Sequence, residues 1–183
     1  MRIGMDLDDT VCKTSESLNK WAKKYAIEEG IEMADIFMRV TERKKFLKKY
    51  FVQIIKEAEA KDKFKEVYEK FLKKHNLYII TARNDDYMPH NTKVDYITLE
   101  WLEENDIHFK GYYSNSYKEE KARICEENKI DVMIDDDFAN YEVFKKHGIK
   151  TILFDDKNLY PEVKERATSW EDVEYILKEM KNN

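Results

Sequence analysis

Glycine and proline are scarce, at four and two in a chain of 183 residues, and cysteine occurs only twice. So few chain-breaking residues exclude a collagen-like or loop-dominated protein and argue against an all-β one, which needs many tight turns. Cys12 and Cys125 lack metal-ligand spacing and exclude a disulfide scaffold, so the expected setting is reducing and cytoplasmic. No apolar run is long enough to cross a bilayer and no secretory leader is recognisable, so a soluble protein without a membrane partner is expected. A positive charge excess is also missing: the net charge of −5 gives no general affinity for nucleic-acid duplexes or anionic surfaces.

What is present is 42% apolar and 39% charged residues, enough for a core wrapped in densely charged helices. The length suits one domain, or a core domain with a modest insertion. Short apolar runs at Arg2–Asp6, Leu77–Thr81, Gly111–Ser114, Ile130–Asp135 and Lys150–Phe154 read as strands buried on both faces. Helical patterns alternate with them. Val94, Ile97, Trp101 and Leu102 form one stripe; Trp170, Val173, Leu177 and Met180 form another, opened by a Ser169–Asp172 capping box. Strands alternating with helices predict an α/β protein with a Rossmann-like, three-layer parallel-sheet core. The stretch from Thr14 to His75 interrupts the alternation with helical stripes alone, as in Phe46, Leu47, Tyr50, Ile54 and then Phe64, Val67, Tyr68, Phe71. It reads as a small all-helical cap inserted after strand 1, giving a core of 1–13 and 76–183 and a cap of 14–75.

The chemistry sits at the strand ends. Met5-Asp6-Leu7-Asp8-Asp9-Thr10 closes the first strand, and Asp6 and Asp8, two apart, leave an extended chain on the same side. Paired carboxylates repel unless a cation lies between them or one keeps a proton. A hard cation such as Mg2+ takes oxygen ligands, and a carboxyl with a raised pKa can serve as a general acid. Taken alone, the run fits an acidic capping turn equally well. Thr81-Ala82-Arg83 follows the second strand, where a Thr alone usually means a helix cap. Lys121 begins the second turn of a helix that Ser116 and Glu119 are placed to cap, and Asp135-Asp136-Asp137 follows Val132-Met133-Ile134.

In that order, Asp-Leu-Asp-Asp-Thr, Thr-Ala-Arg, Lys121 and Ile134-Asp135-Asp136 resemble the four motifs of the haloacid dehalogenase superfamily of phosphotransferases, across essentially the whole chain. Thr98-x-x-Trp101-Leu102, Lys121-Ala-x-Ile-Cys125, Ile-Asp-Val-Met-Ile-Asp-Asp and Ser169-Trp170-Glu171 look most like the bacterial branch of the 5'(3')-deoxyribonucleotidase family. Asp9 departs from the glycine that many relatives carry there, and Lys118 is an alternative to Lys121.

The resemblance implies a Mg2+-dependent phosphatase of small phosphomonoesters, nucleotides first and sugar phosphates as the alternative. Asp6 would be the nucleophile and Asp8 the general acid and base. The metal would be held by Asp6, the Asp8 carbonyl, Asp136 and, directly or through water, Asp135. Thr81, the Ala82 amide and Lys121 would hold the phosphate, with Arg83 beside them reaching the leaving group or pairing with the aspartates. Trp21, Phe37, Phe46 and Tyr50 are candidates to stack a base, though helical stripes of this kind usually form core. A receiver-type signalling domain shares the residue types but orders them differently along the chain. The helical stripes also leave a dimer face open as an option.

Overall fold

The computed structural model describes residues 1–182. Six strands form one sheet: β1 (Arg2–Met5), β2 (Asn76–Ile80), β3 (Gly111–Tyr113), β4 (Val132–Asp135), β5 (Thr151–Phe154) and β6 (Arg166–Ala167). Their order is β3-β2-β1-β4-β5-β6 and every pairing is parallel. Every residue of β4 and β5 is buried, which is why these strands carry unbroken apolar runs and not alternation. The chain builds outward from β1 to β3, then returns to the other side of β1 with β4. That reversal makes the β1–β4 crevice the topological switch point, where open α/β sheets bind ligands.

Register decides which strand-end residues meet. Met5 pairs with Ile134, and the Asp6 amide donates to the Ile134 carbonyl at 2.9 Å, so Asp6 and Asp135 leave neighbouring strands side by side. Gly4 pairs with Met133, so by the two-residue period Asp6 and Asp135 share the Met133 face of the sheet. On that face pack α6 (Glu119–Glu127) and α7 (Phe138–Lys146), where Ala122, Cys125, Val143 and Phe144 meet Ile80 and Met133. Phe154 belongs to the other face, against Trp170 of α8 (Trp170–Asn182), whose ring in turn meets Phe64 of α4 (Phe64–Leu72).

The chain divides into two compact units. The sheet unit comprises Met1–Cys12, Ala60–Ala82 and the chain from His108 onward. The second, Lys13–Glu59 with Arg83–Ile107, is all-helical: α1 (Thr14–Glu29), α2 (Met33–Met38), α3 (Val40–Lys56) and α5 (Val94–Glu104). Its core is aromatic. Trp21 stacks on Tyr50 at 4.7 Å between centroids, and Tyr25 and Phe46 close around them. Helix α4, read from the sequence as part of the 14–75 insertion, groups with the sheet because its stripe meets Trp170; α5 groups with the helices. Among the described residues no helix is long and apolar enough to cross a membrane.

Candidate active site

Lys121 is the hub of the switch point. Its ammonium lies 2.7 Å from Asp6 Oδ1 and 2.7 Å from Asp135 Oδ2, and its side chain is 1% exposed. The third residue of α6, it reaches these carboxylates because α6 covers the face on which they stand. Asp135 is further held by the Asn140 side-chain amide at 3.1 and 3.2 Å and by the Asp137 amide at 2.9 Å. Asp137 caps α7 by accepting from the Ala139 amide at 2.7 Å, a common use of an aspartate before a helix. Asp136 takes a hydrogen bond from the Thr10 hydroxyl at 3.2 Å, which ties the fourth motif to the first.

Oxygens of Asp6, Asp135 and Asp136 lie within 4.8 Å of one another. A cavity of about 190 Å³ opens over them, also lined by Asp8, Asp9 and Ala82. With Asp137, six aspartates and one lysine face this space. Negative charge in that excess has to be balanced by protons or by a cation. The surroundings favour protons on two of these carboxylates. Burial, with the charges of Asp135 and Asp8, raises Asp6 to about 7, although Lys121 opposes the shift. Burial followed by the charges of Asp6, Asp135 and Asp9 raises Asp136 to about 9. For Lys121 burial works against the charge, yet Asp135 and Asp6 hold its pKa above the ordinary lysine range. An all-oxygen, anionic donor set is what a hard divalent cation requires, so the residues fit Mg2+. Cys125, whose thiol burial pushes up to about 12, is no candidate nucleophile.

The structure therefore brings Asp6, Asp8, Ala82, Lys121, Asp135 and Asp136 to one cavity. Thr81, fully buried, directly follows β2: its amide donates to the Tyr113 carbonyl at 2.8 Å, and its own carbonyl accepts from Ser116 N at 3.0 Å. Arg83 lies in the helical unit, 4% exposed, with Nη1 donating to Thr98 Oγ1 at 3.3 Å. Lys118 is exposed, its ammonium 5.0 Å from the Tyr117 ring centroid. Phe46 and Tyr50 are core residues of the helical unit at 1% and 6% exposure, so their rings are committed to packing; Phe37 is exposed and Trp21 half-buried.

Two local expectations are corrected. Ser116 does not cap α6, because its hydroxyl donates to the Ser114 carbonyl at 2.9 Å and the helix starts after Lys118. Lys121 accordingly sits in the first turn, not the second. Asn140 was missed. A single asparagine inside a helix breaks no pattern, and the one available cue was its place five residues beyond Asp135 in a helix opened by Asp137.

No protein-family model and no curated protein matches the sequence. Solved structures do. YfnB from Bacillus subtilis, a HAD-hydrolase solved bound to magnesium, superposes with TM-score 0.70 at 13% identity over 97% of this chain and 98% of that one. A protein from Clostridium acetobutylicum described as a predicted phosphatase gives 0.70 at 14% over the same shares. The 2-haloacid dehalogenase of Pseudomonas syringae gives 0.64 at 12% over 98% of both chains. At such identities the likeness is one of fold. The chain has the Rossmann-like fold of haloacid dehalogenase-superfamily hydrolases, a six-stranded parallel sheet with a helical insertion after β1.

Proposed function

We propose that the protein is a Mg2+-dependent phosphomonoester hydrolase that works through Asp6, with nucleoside monophosphates as its substrates. The observation that carries the reading is the convergence of Asp6, Asp135 and Asp136 oxygens within 4.8 Å beside a buried lysine at the switch point. A purely structural cluster would have no use for three acids there, since apolar residues of similar size pack at lower cost.

Bound to these oxygens, Mg2+ supplies the screening that lets a carboxylate approach a phosphate dianion. An Asp6 oxygen attacks phosphorus while the ester P–O bond breaks, and Asp8 gives its proton to the departing alkoxide. Water then attacks the phosphorus of the aspartyl-phosphate, Asp8 takes the water's proton, and phosphate and free Asp6 result. Lys121 has three N–H donors, two of them used by Asp6 and Asp135, which leaves one for a phosphate oxygen. Asn140 and the Asp137 amide keep Asp135 in place to hold that lysine.

Two of the structural neighbours are described as phosphatases and one as a haloacid dehalogenase. Expelling a halide requires neither a proton donor nor a screened nucleophile. Asp8 and the surplus of aspartates therefore favour phosphate esters. The nucleotide preference rests on the resemblance of the TAR form of the second motif, Thr98-x-x-Trp101-Leu102 and Ser169-Trp170-Glu171 to the 5'(3')-deoxyribonucleotidase family. Two free, buried cysteines suit a reducing, cytoplasmic setting.

The test is phosphate release from nucleoside 5'- and 3'-monophosphates, sugar phosphates and p-nitrophenyl phosphate, with Mg2+ or EDTA. Mg2+-dependent turnover highest on nucleotides is expected. Turnover confined to sugar phosphates would retain the phosphatase and remove the nucleotidase, and release unaffected by EDTA would contradict the metal.

A further inference from the structure

The segment between β3 and α6 is fastened to the site at both ends. The Ser116 amide donates to the Thr81 carbonyl at 3.0 Å, and the Ser116 hydroxyl to the Ser114 carbonyl at 2.9 Å. Two residues on, the Lys118 amide donates at 3.0 Å to Oδ1 of Asn140, the same side chain whose amide group holds Asp135. Ser116 and Asn140 are both buried, so these bonds are shielded from water. Lys118 has φ +49°, a conformation that an L-residue keeps only where its surroundings impose it. Tyr117, between the two anchors, therefore has its backbone fixed.

Tyr117 lines the cavity of Asp6, Asp8 and Lys121 and is yet 48% exposed, which puts it at the mouth. Of the described residues lining that cavity it is the one aromatic. The others are aspartates, Lys121, Asn140 and Ala82, groups suited to a cation and a phosphate that offer little surface to anything less polar. At about 190 Å³ the space is also smaller than the roughly 300 Å³ from which pockets enclose a whole small-molecule ligand. An ester held there by its phosphate sends its leaving group out past the rim, where Tyr117 stands. The Lys118 ammonium, 5.0 Å from the ring centroid, is a competing reason for the ring, but an exposed cation–π contact is weak and has no need of an anchored backbone.

We infer that Tyr117 is a specificity-determining residue, whose ring stacks on the planar base of a nucleotide's leaving group. This rests on reading the cavity as the phosphate site of a nucleotide hydrolase. Every base has a π-face, so stacking selects nucleotides over sugar phosphates without choosing among bases. The ring, and not the hydroxyl, is the source of the preference.

Nucleoside 5'-monophosphates and ribose 5-phosphate contain the same ester bond, so the ratio of their kcat/KM values reports what the base contributes. Tyr117→Leu, which keeps apolar bulk without a π-face, should lower that ratio about tenfold, through KM and not kcat. Tyr117→Phe retains the ring and should keep the ratio within about twofold of wild type. A ratio unchanged in Tyr117→Leu, whether both activities fall together or neither does, would overturn the inference and leave the nucleotide hydrolase standing. A fall as large in Tyr117→Phe would overturn it as well, by assigning the preference to the hydroxyl. A wild type that hydrolyses ribose 5-phosphate but no nucleotide would remove the nucleotide reading and this inference together.

Discussion

The two edges of the one sheet treat charge in opposite ways. At the amino edge a cavity of about 600 Å³ lies among Met1, Lys129, Asp131 and Lys150. Its polar groups meet ordinary surface partners: the Arg2 amide donates to Asp131 at 2.7 Å and the Arg2 guanidinium to the Asn128 carbonyl at 2.7 Å, both in exposed positions. At the carboxyl edge the cavity is about 190 Å³, yet it gathers six aspartates around a lysine that is 1% exposed. The larger space holds groups that water already satisfies, whereas the smaller one holds charges taken from water at a cost that packing alone does not recover. Buried, mutually repelling groups locate the chemistry here, and cavity size does not.

The contrast can be broken most sharply at Asp6. Asp6→Asn should lower turnover by about 10⁴-fold or more with an unchanged circular dichroism spectrum. Asp8→Asn should lower it by about 10²–10⁴-fold, the usual contribution of a general acid and base. Lys121→Met leaves two carboxylates buried without their shared cation, so urea unfolding should show a loss of about 3 kcal/mol or more. At the amino edge Asp131→Ala should shift the melting temperature by less than about 3 °C, because its partner amide is open to water.

Acidity sharpens the same contrast. Asp6 and Asp136 have folded values of about 7 and about 9 against an ordinary 3.8, so the folded protein holds protons that the unfolded chain releases. Their contribution to stability is complete below the ordinary value and is lost as pH rises through the folded values. Mg2+ competes with those protons. The rise in melting temperature on adding Mg2+ should therefore be larger near about pH 8.5 than near about pH 5.5. An equal rise at both would mean that the aspartates do not hold the ion. His147 runs the same way through a different cause. Glu126 and Glu119 stand 2.8 Å from its two ring nitrogens and raise its pKa, so what it adds to stability is lost as pH rises through that raised value.

Much of the site was legible because strands buried on both faces have to be apolar, so Asp6, Thr81 and Asp135 stand out where each run stops. Partners were harder to read. The Phe64, Val67, Tyr68, Phe71 stripe says that one face of α4 is buried, but a period carries no information about which body buries it, and Trp170 supplies that face. Arg83 is two residues from Thr81 but past the point where the chain passes into the helical unit, and its guanidinium donates to Thr98, a partner that no local pattern announces. The two-residue β6 is shorter than any periodicity can register. Asn140 carries no pattern of its own, and the Ser116 cap was a local possibility that the hydrogen bond of its hydroxyl to the Ser114 carbonyl replaced.

The most direct test of the central claim is a rapid acid quench of the enzyme turning over a nucleoside monophosphate labelled with ³²P at the phosphate. Label bound to the wild-type protein, stable in acid, released by hydroxylamine and absent from Asp6→Asn, is the predicted result. Fast phosphate release by the wild type with no labelled protein at any quench time, or label that persists in Asp6→Asn, would contradict covalent transfer through Asp6.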